Sequence, residues 1–340
     1  MARRRINGLD SLRGIAALSV VLFHYTARYG ETFGHPAAPL INFSQGFRGV
    51  DLFFMISGFV IFMTLDNTAT ARDFVVSRFS RLFPTFWASV LLTYVVVTVF
   101  GLPGKVVGLG ELVLNFTMVP GLLNVQPVDG TYWTLEIELI FYVLMLALFM
   151  AGALARIHLV LVVWLLGRLI AHVMTSSGMH VSYTLEHLLL LPHIALFGAG
   201  MMLYCLYRGP DHRGKSFLLL AACIAVIAIV DGAPALPVPL VGSAVILMMS
   251  RRDLAVSRNP VILFFGTISY PLYLLHENIG FVILRALYRW NLAPDLAIAL
   301  ALLVVVSLSS LITFWVEQPA TRAIRRWYRS RTSPTAAQGI

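Results

Sequence analysis

The sequence predicts an all-α integral membrane protein, a polytopic bundle of about ten transmembrane helices with both termini cytoplasmic. Three observations carry that prediction. Of 340 residues, 59% are hydrophobic and 12% charged, with a mean hydropathy of +0.82, against roughly 45–50% and 25% in soluble chains. The apolar stretches are long and continuous, as in ASVLLTYVVVTVF and LAIALALLVVVSLSSLITFWV, which excludes the short alternating segments of a β-barrel. Finally, 25 basic and 16 acidic side chains are too few to cover a soluble surface of this size.

Ten spans follow in order: residues 11–29, 47–66, 83–101, 132–151, 157–174, 188–207, 216–231, 236–250, 262–283 and 295–317. Glycine, proline and charge mark the breaks between them, as in GHPAAP, GLPGK, RGPDHRGK, DGAPALPVP and RRDLAVSRNP. The first span keeps Asp10 and Arg13, has His24 near its end and lacks an A-x-A cleavage site. It reads as a retained helix, not a cleaved signal peptide. Segment 102–131 is the longest loop, and GELVLNFTMVPGLL within it suggests a short interfacial or re-entrant piece. The whole chain, 1–340, reads as a single transmembrane domain with a basic cytoplasmic tail at 320–340.

Charge placement sets the orientation. Eighteen of the 25 Lys and Arg residues fall on one side, including Arg3, Arg4 and Arg5 and the tail arginines. Lys105, Arg285 and Arg289 fall on the other. The richer side is cytoplasmic by the positive-inside rule. The net charge of +9 is scattered between apolar spans, so it orients helices and does not mark a nucleic-acid surface. Cys205 and Cys223 lie in apolar stretches with no CxxC spacing, and neither a disulfide framework nor a metal site is expected.

Ionisable residues inside spans are expensive and mark function. Arg13 and His24 are eleven residues apart, and eleven α-helical steps of ~100° return to within roughly 20° of the start, about 16 Å further along. One face therefore presents a cation near the cytoplasmic end and a proton acceptor in the outer third. Counting depth along the other spans brings Asp51, Glu136, Glu138 and His276 to the level of His24. Such a cluster can fix an imidazole tautomer and tune its basicity. At the opposite face, Arg78 and Arg81 in VSRFSRLFP lie three apart, a spacing that lets one helical turn grip a phosphate.

With these residues in place, the chain resembles the membrane acyltransferase-3 proteins, which O-acylate sugars of polysaccharides, lipid-linked glycans and some antibiotics. INGLDSLRGIAALSVVLFHY resembles their first-span motif, GFRGVDLFFMISGFVIF the second, and SRFSRLFPTFW the RxxR motif. DGTYWTLEIELIFY, GTISYPLYLLHE and the terminal VEQP are similar to later patterns, and the set runs in order from residue 6 to about 319. WTLEIE is nearest to exopolysaccharide-acetylating members. The resemblance implies an acyl-CoA donor, usually acetyl-CoA, reaching the enzyme from the cytoplasm as a co-substrate, with no permanently bound cofactor. It implies a sugar hydroxyl acceptor and a multi-pass place in the bacterial cell membrane, with glycan-assembly machinery as a partner. His24 matches the essential histidine, with Asp51 and Glu138 as companion catalytic positions. Arg13, Arg78 and Arg81 match the donor-binding basic residues. Glu136, Ser57, Tyr270, Tyr273 and His276 would form a supporting polar site. The competing reading is a proton-coupled transporter of a small solute or glycan precursor, since buried His and carboxylate groups also build proton relays.

Overall fold

The computed structural model describes residues 6–252 and 254–332. Arg3, Arg4 and Arg5 of the orientation signal, and the end of the basic tail at 333–340, lie outside the described residues. The regular elements among the described residues are all helical. In chain order they include α1 (Asn7–Phe23), α2 (Gly49–Asp66), α3 (Ala71–Phe100), α4 (Leu109–Asn115), α5 (Trp133–Met150), α6 (Ile157–Ser176) and α7 (Tyr183–Leu188). They continue with α8 (Ile194–Arg208), α9 (Arg213–Val230), α10 (Pro237–Arg251), α11 (Pro260–Leu275), α12 (Glu277–Arg289), α13 (Pro294–Ile312) and α14 (Gln318–Thr332).

Seven helical stretches among the described residues are long and apolar enough to cross a membrane. They are Ser44–Asp66, Ala71–Phe100, Gly130–Met150, Ala153–Ser176, Arg213–Val230, Ala233–Arg251 and Pro294–Thr332. Helices α8 and α11 are apolar but shorter, at 15 and 16 residues. Helix α1 has 17 residues and carries Asp10 and Arg13. Boundaries differ from the sequence reading where capping decides them. Helix α3 starts well before residue 83, because the Thr70 side chain accepts from the Asp73 amide at 3.2 Å and begins the helix there. It closes at Gly101, whose φ of +72° suits glycine. The span expected at 262–283 is instead two helices, α11 and α12, with His276 between them.

The chain forms two compact units. The first comprises residues 6–20, Gln45–Asn67 and Thr134–Thr267. Its centre is the crossing of α2 and α8, where backbones touch. A β-carbon at Gly58 would overlap the Phe197 carbonyl, and one at Gly200 the Met55 carbonyl. Gly198 faces side chains instead, Leu161 of α6 and Cys223 of α9. Small residues at such crossings are how membrane helices gain contact where lipid supplies no hydrophobic drive. On α6, Leu159, Val163, Leu166, Ile170 and Val173 are exposed at spacings of three and four, an apolar stripe suited to lipid contact.

The second unit comprises Val21–Ser44, Thr68–Trp133 and residues 268–332. In it α12 packs on α3 and α13, and α14 packs on α3. The loop after α3 is tied back where the Trp87 indole N–H donates to the Phe116 carbonyl at 3.0 Å. Asn115 fixes its far end, donating to Gln126 O at 2.9 Å and accepting from the Val128 amide at 2.9 Å. That anchoring delivers Lys105 and Asp129 to a fixed place.

Candidate active site

The second unit holds a histidine-centred network. Helix α1 gives way at His24 to a wide π-type turn, His24–Arg28, a distortion found often at functional sites. His24 Nδ1 lies 3.1 Å from His276 Nε2, and the two rings meet edge-on. His276 is wholly buried, and its Nδ1 lies 2.8 Å from the Tyr273 carbonyl. A carbonyl can only accept, so His276 Nδ1 carries a proton. In a neutral ring its Nε2 is then the acceptor, and His24 must donate from Nδ1. The basic lone pair of His24 is thereby assigned to Nε2.

That nitrogen faces a carboxylate. His24 Nε2 lies 3.7 Å from Glu277 Oε2, and Lys105 Nζ lies 3.6 Å from Glu277 Oε1. The Glu277 side chain is only 8% exposed, and the Lys105 ammonium beside Oε1 gives that buried group a charged partner. A proton taken up at His24 Nε2 during a reaction would be met by the facing carboxylate.

The chain break that creates this geometry is itself supported. The Asn278 amide, in the first turn of α12, donates to Asp129 Oδ2 at 3.0 Å, satisfying a donor that a helix start leaves open. The Thr131 amide and hydroxyl donate to Asp129 Oδ1 at 3.0 and 2.7 Å. Burial pushes the Asp129 carboxyl above the usual carboxylate range, while these hydrogen bonds and the Lys105 charge pull it back. The Tyr25 hydroxyl donates to the His276 carbonyl at 2.9 Å. Gly130 leaves the space that the Glu277 carboxylate occupies, since a β-carbon there would stand 2.5 Å from both of its oxygens.

The same unit holds the arginine pair. Arg78 is buried, with its guanidinium 5.9 Å from the Phe74 ring, and Arg81 is half-buried. The Tyr270 hydroxyl donates to the Leu82 carbonyl at 3.1 Å, one residue after Arg81. Tyr273 contributes its carbonyl, which receives the His276 ring.

The first unit contains Arg13, Asp51, Ser57, Glu136 and Glu138. Glu138 Oε1 accepts from Ser57 Oγ at 2.5 Å and from the Tyr142 hydroxyl at 2.6 Å. Glu136 is buried and pairs with His187 Nε2 at 2.8 Å. Asp51 pairs with Arg48 at 3.6 Å. Of the residues that depth counting assigned to one layer, His24 and His276 are brought into contact. The three carboxylates each have partners within their own unit. The carboxylate beside His24 is Glu277, which sequence reading passed over although it directly follows His276. Lys105 read only as a topology marker, and Asp129 and Gly130 only as the head of the DGTYWTLEIELIFY motif, with no role assigned. Among the described residues, no three His, Cys, Asp or Glu side chains are grouped to hold a metal ion.

A histidine pair facing a buried carboxylate, in an apolar helical chain, defines a membrane protein equipped to move a proton. Comparison with known proteins narrows this class. Over residues 6–315 the chain matches the family described as an acyltransferase domain, and it belongs to that family. It is similar to the exopolysaccharide production protein ExoZ of Rhizobium meliloti, 30% identical over 36% of this chain and 37% of that protein. It is also similar to the acyltransferase MdmB of Streptomyces mycarofaciens, 24% identical over 98% of this chain and 96% of that protein. Peptidoglycan O-acetyltransferase OatA of Listeria monocytogenes is 27% identical over 42% of this chain and 24% of that protein. The match thus spans well under two thirds of the length of ExoZ and OatA. No solved structure matches the chain.

Proposed function

We propose that this protein is a membrane O-acyltransferase that moves an acyl group, acetyl in the simplest case, from cytoplasmic acyl-CoA to a sugar hydroxyl. The acceptor class is a surface polysaccharide, glycolipid or other glycoside. The observation that carries the reading is His24, with Nδ1 committed to His276 and Nε2 facing Glu277. Family membership and the names of the relatives support the acyl-transfer class. In this reading ten helices cross the bacterial cell membrane with both termini in the cytoplasm.

A sugar hydroxyl is a weak nucleophile at neutral pH, so its attack on a thioester needs a positioned base. His24 Nε2 takes the hydroxyl proton while the oxygen bonds to the acyl carbon. The carbon–sulfur bond then breaks, and the proton passes from His24 to the leaving CoA thiolate. Atoms and charge balance, and His24 ends as it began. Glu277 stabilises the transient imidazolium, and Lys105 holds Glu277. General-base assistance of this kind is worth about 10²–10⁴-fold in rate. Arg78 and Arg81, in the same unit as His24, bind the phosphates of the donor. Glycan-assembly proteins would deliver the acceptor.

The test is His24→Ala in membranes supplied with acetyl-CoA and a glycan acceptor. O-acetylation is lost, while expression, membrane insertion and thermal unfolding match the unaltered protein. Full acetylation by the variant would sink the assignment.

A further inference from the structure

The C-terminal helix α14 carries Arg322, Arg325, Arg326, Arg329 and Arg331 and has no acidic residue between Gln318 and Thr332. A helix of that charge is commonly a solvated tail. Here it is docked. It continues from α13 through a second π-type turn, Thr313–Glu317, and lies along α3 within the second unit. Two contacts fix the register, and both fall on Ser80. The Thr321 hydroxyl donates to the Ser80 carbonyl at 2.7 Å, and Arg325 Nε donates to Ser80 Oγ at 3.3 Å.

The Ser80 hydroxyl donates to the Ser77 carbonyl at 3.2 Å, and Arg78 Nη2 donates to Ser77 Oγ at 3.4 Å, so Arg325 of α14 and Arg78 of α3 contact neighbouring serines one helical turn apart. Arg325 is half-buried, whereas Arg322, Arg326, Arg329 and Arg331 are exposed. An i, i+3 pair on α3 reaches a phosphate from one face, and an arm from α14 supplies a second direction. Acyl-CoA presents a pyrophosphate and a separate phosphomonoester, more anionic groups than one helical turn can enclose. We propose that Arg325 is a further donor-binding residue that closes with Arg78 and Arg81 around the phosphates of acyl-CoA. This rests on the acyl-CoA reading above. It assigns the docked C-terminal helix a part in donor capture, beyond orienting the chain in the membrane.

The test measures acetyl-CoA affinity of the full chain in phosphatidylcholine nanodiscs. Arg325→Gln removes the charge but keeps a donor for Ser80, and it should weaken acetyl-CoA binding about tenfold, the range of one charge-assisted hydrogen bond. Arg325→Lys should recover part of the loss. Arg331→Gln, whose guanidinium lies 4.6 Å from the Trp327 ring, should change affinity by less than about twofold. Unfolding midpoints should agree across the set. Equal weakening by Arg325→Gln and Arg331→Gln would reduce the effect to diffuse charge and overturn the proposal. So would unchanged acetyl-CoA affinity in Arg325→Gln combined with loss of the thermal stabilisation conferred by phosphatidylglycerol, which makes the occupant a lipid headgroup. Weakening by Arg81→Gln but not by Arg325→Gln overturns this proposal alone. Absence of saturable acetyl-CoA binding in the unaltered protein overturns the donor reading with it.

Discussion

Gly130→Ala tests the Glu277 carboxylate without replacing any charged residue. A β-carbon at position 130 would stand 2.5 Å from both carboxylate oxygens and 2.9 Å from Cδ, so the group must retreat by about 0.9 Å to reach ordinary contact. Taken along the line to His24, that lengthens the 3.7 Å separation to about 4.6 Å. At an effective dielectric near 20, the pair's attraction then falls from about 4.5 to about 3.6 kcal/mol, a loss of about 0.9 kcal/mol. Turnover should therefore drop roughly fourfold to fivefold if an imidazolium at His24 develops in the transition state. The assay is acetyl transfer from acetyl-CoA in nanodiscs, with donor affinity measured separately and expected to be unchanged. Glu277→Gln, which abolishes the charge, should cost more, on the order of 10²-fold. The decisive comparison is the double variant. If Gly130→Ala acts only through the Glu277 charge, the double variant should be no slower than Glu277→Gln alone. Fully additive losses, or wild-type turnover in Gly130→Ala, would refute the assignment of Glu277 as the stabilising partner of His24.

Other expectations follow from the same network. Lys105→Met should slow turnover about threefold to tenfold with little change in unfolding midpoint, and unaltered turnover would remove Lys105 from the site. A β-carbon at Gly280 would overlap the Tyr25 hydroxyl, so Gly280→Ala should destabilise the protein by about 1–3 kcal/mol and lower activity in parallel, read by thermal unfolding and acetyl transfer together. His35 Nδ1 lies 2.8 Å from the Tyr288 hydroxyl, and burial holds its imidazole below the usual histidine range while the Thr26 and Tyr25 carbonyls pull the other way. The fold favours neutral His35, so its contribution is complete above the usual histidine value and is lost as pH falls through the lowered one. Unfolding midpoints between about pH 7 and pH 5 should fall less in His35→Gln than in the unaltered protein.

Much of this architecture is legible in the sequence because the bilayer punishes errors of composition. Long runs such as α13 cannot be anything but helical in lipid, and His24 and His276 stand out because spans rarely tolerate them. Depth counting, however, gives a level along the membrane normal and no direction around it. Asp51, Glu136 and Glu138 therefore read as companions of His24, although each has a partner in its own unit. Glu277 was hidden by the assumption of one unbroken helix over 262–283, on which it turns ~100° away from His276. The break after Leu275 removes that relation, and it depends on Asp129, nearly 150 residues earlier in the chain. Nothing periodic in the loop 101–129 announces that Asn115 pins it, so Lys105 carried no sequence signal beyond its charge, and Asp129 none beyond its place at the head of DGTYWTLEIELIFY.

The crossing of α2 and α8 has a consequence for how this chain tolerates change. At Gly58 and Gly200 the obstacle to any side chain is main-chain carbonyl, which cannot rotate aside as a rotamer can. A library of single replacements would therefore show these two columns emptied of every residue but glycine, even though neither lies near the histidine pair in sequence. Loss of function at such a column reports a failed helix crossing and not a missing chemical group. Screens that rank residues by damage alone would confuse the two, and only an unfolding measurement beside the activity would tell them apart.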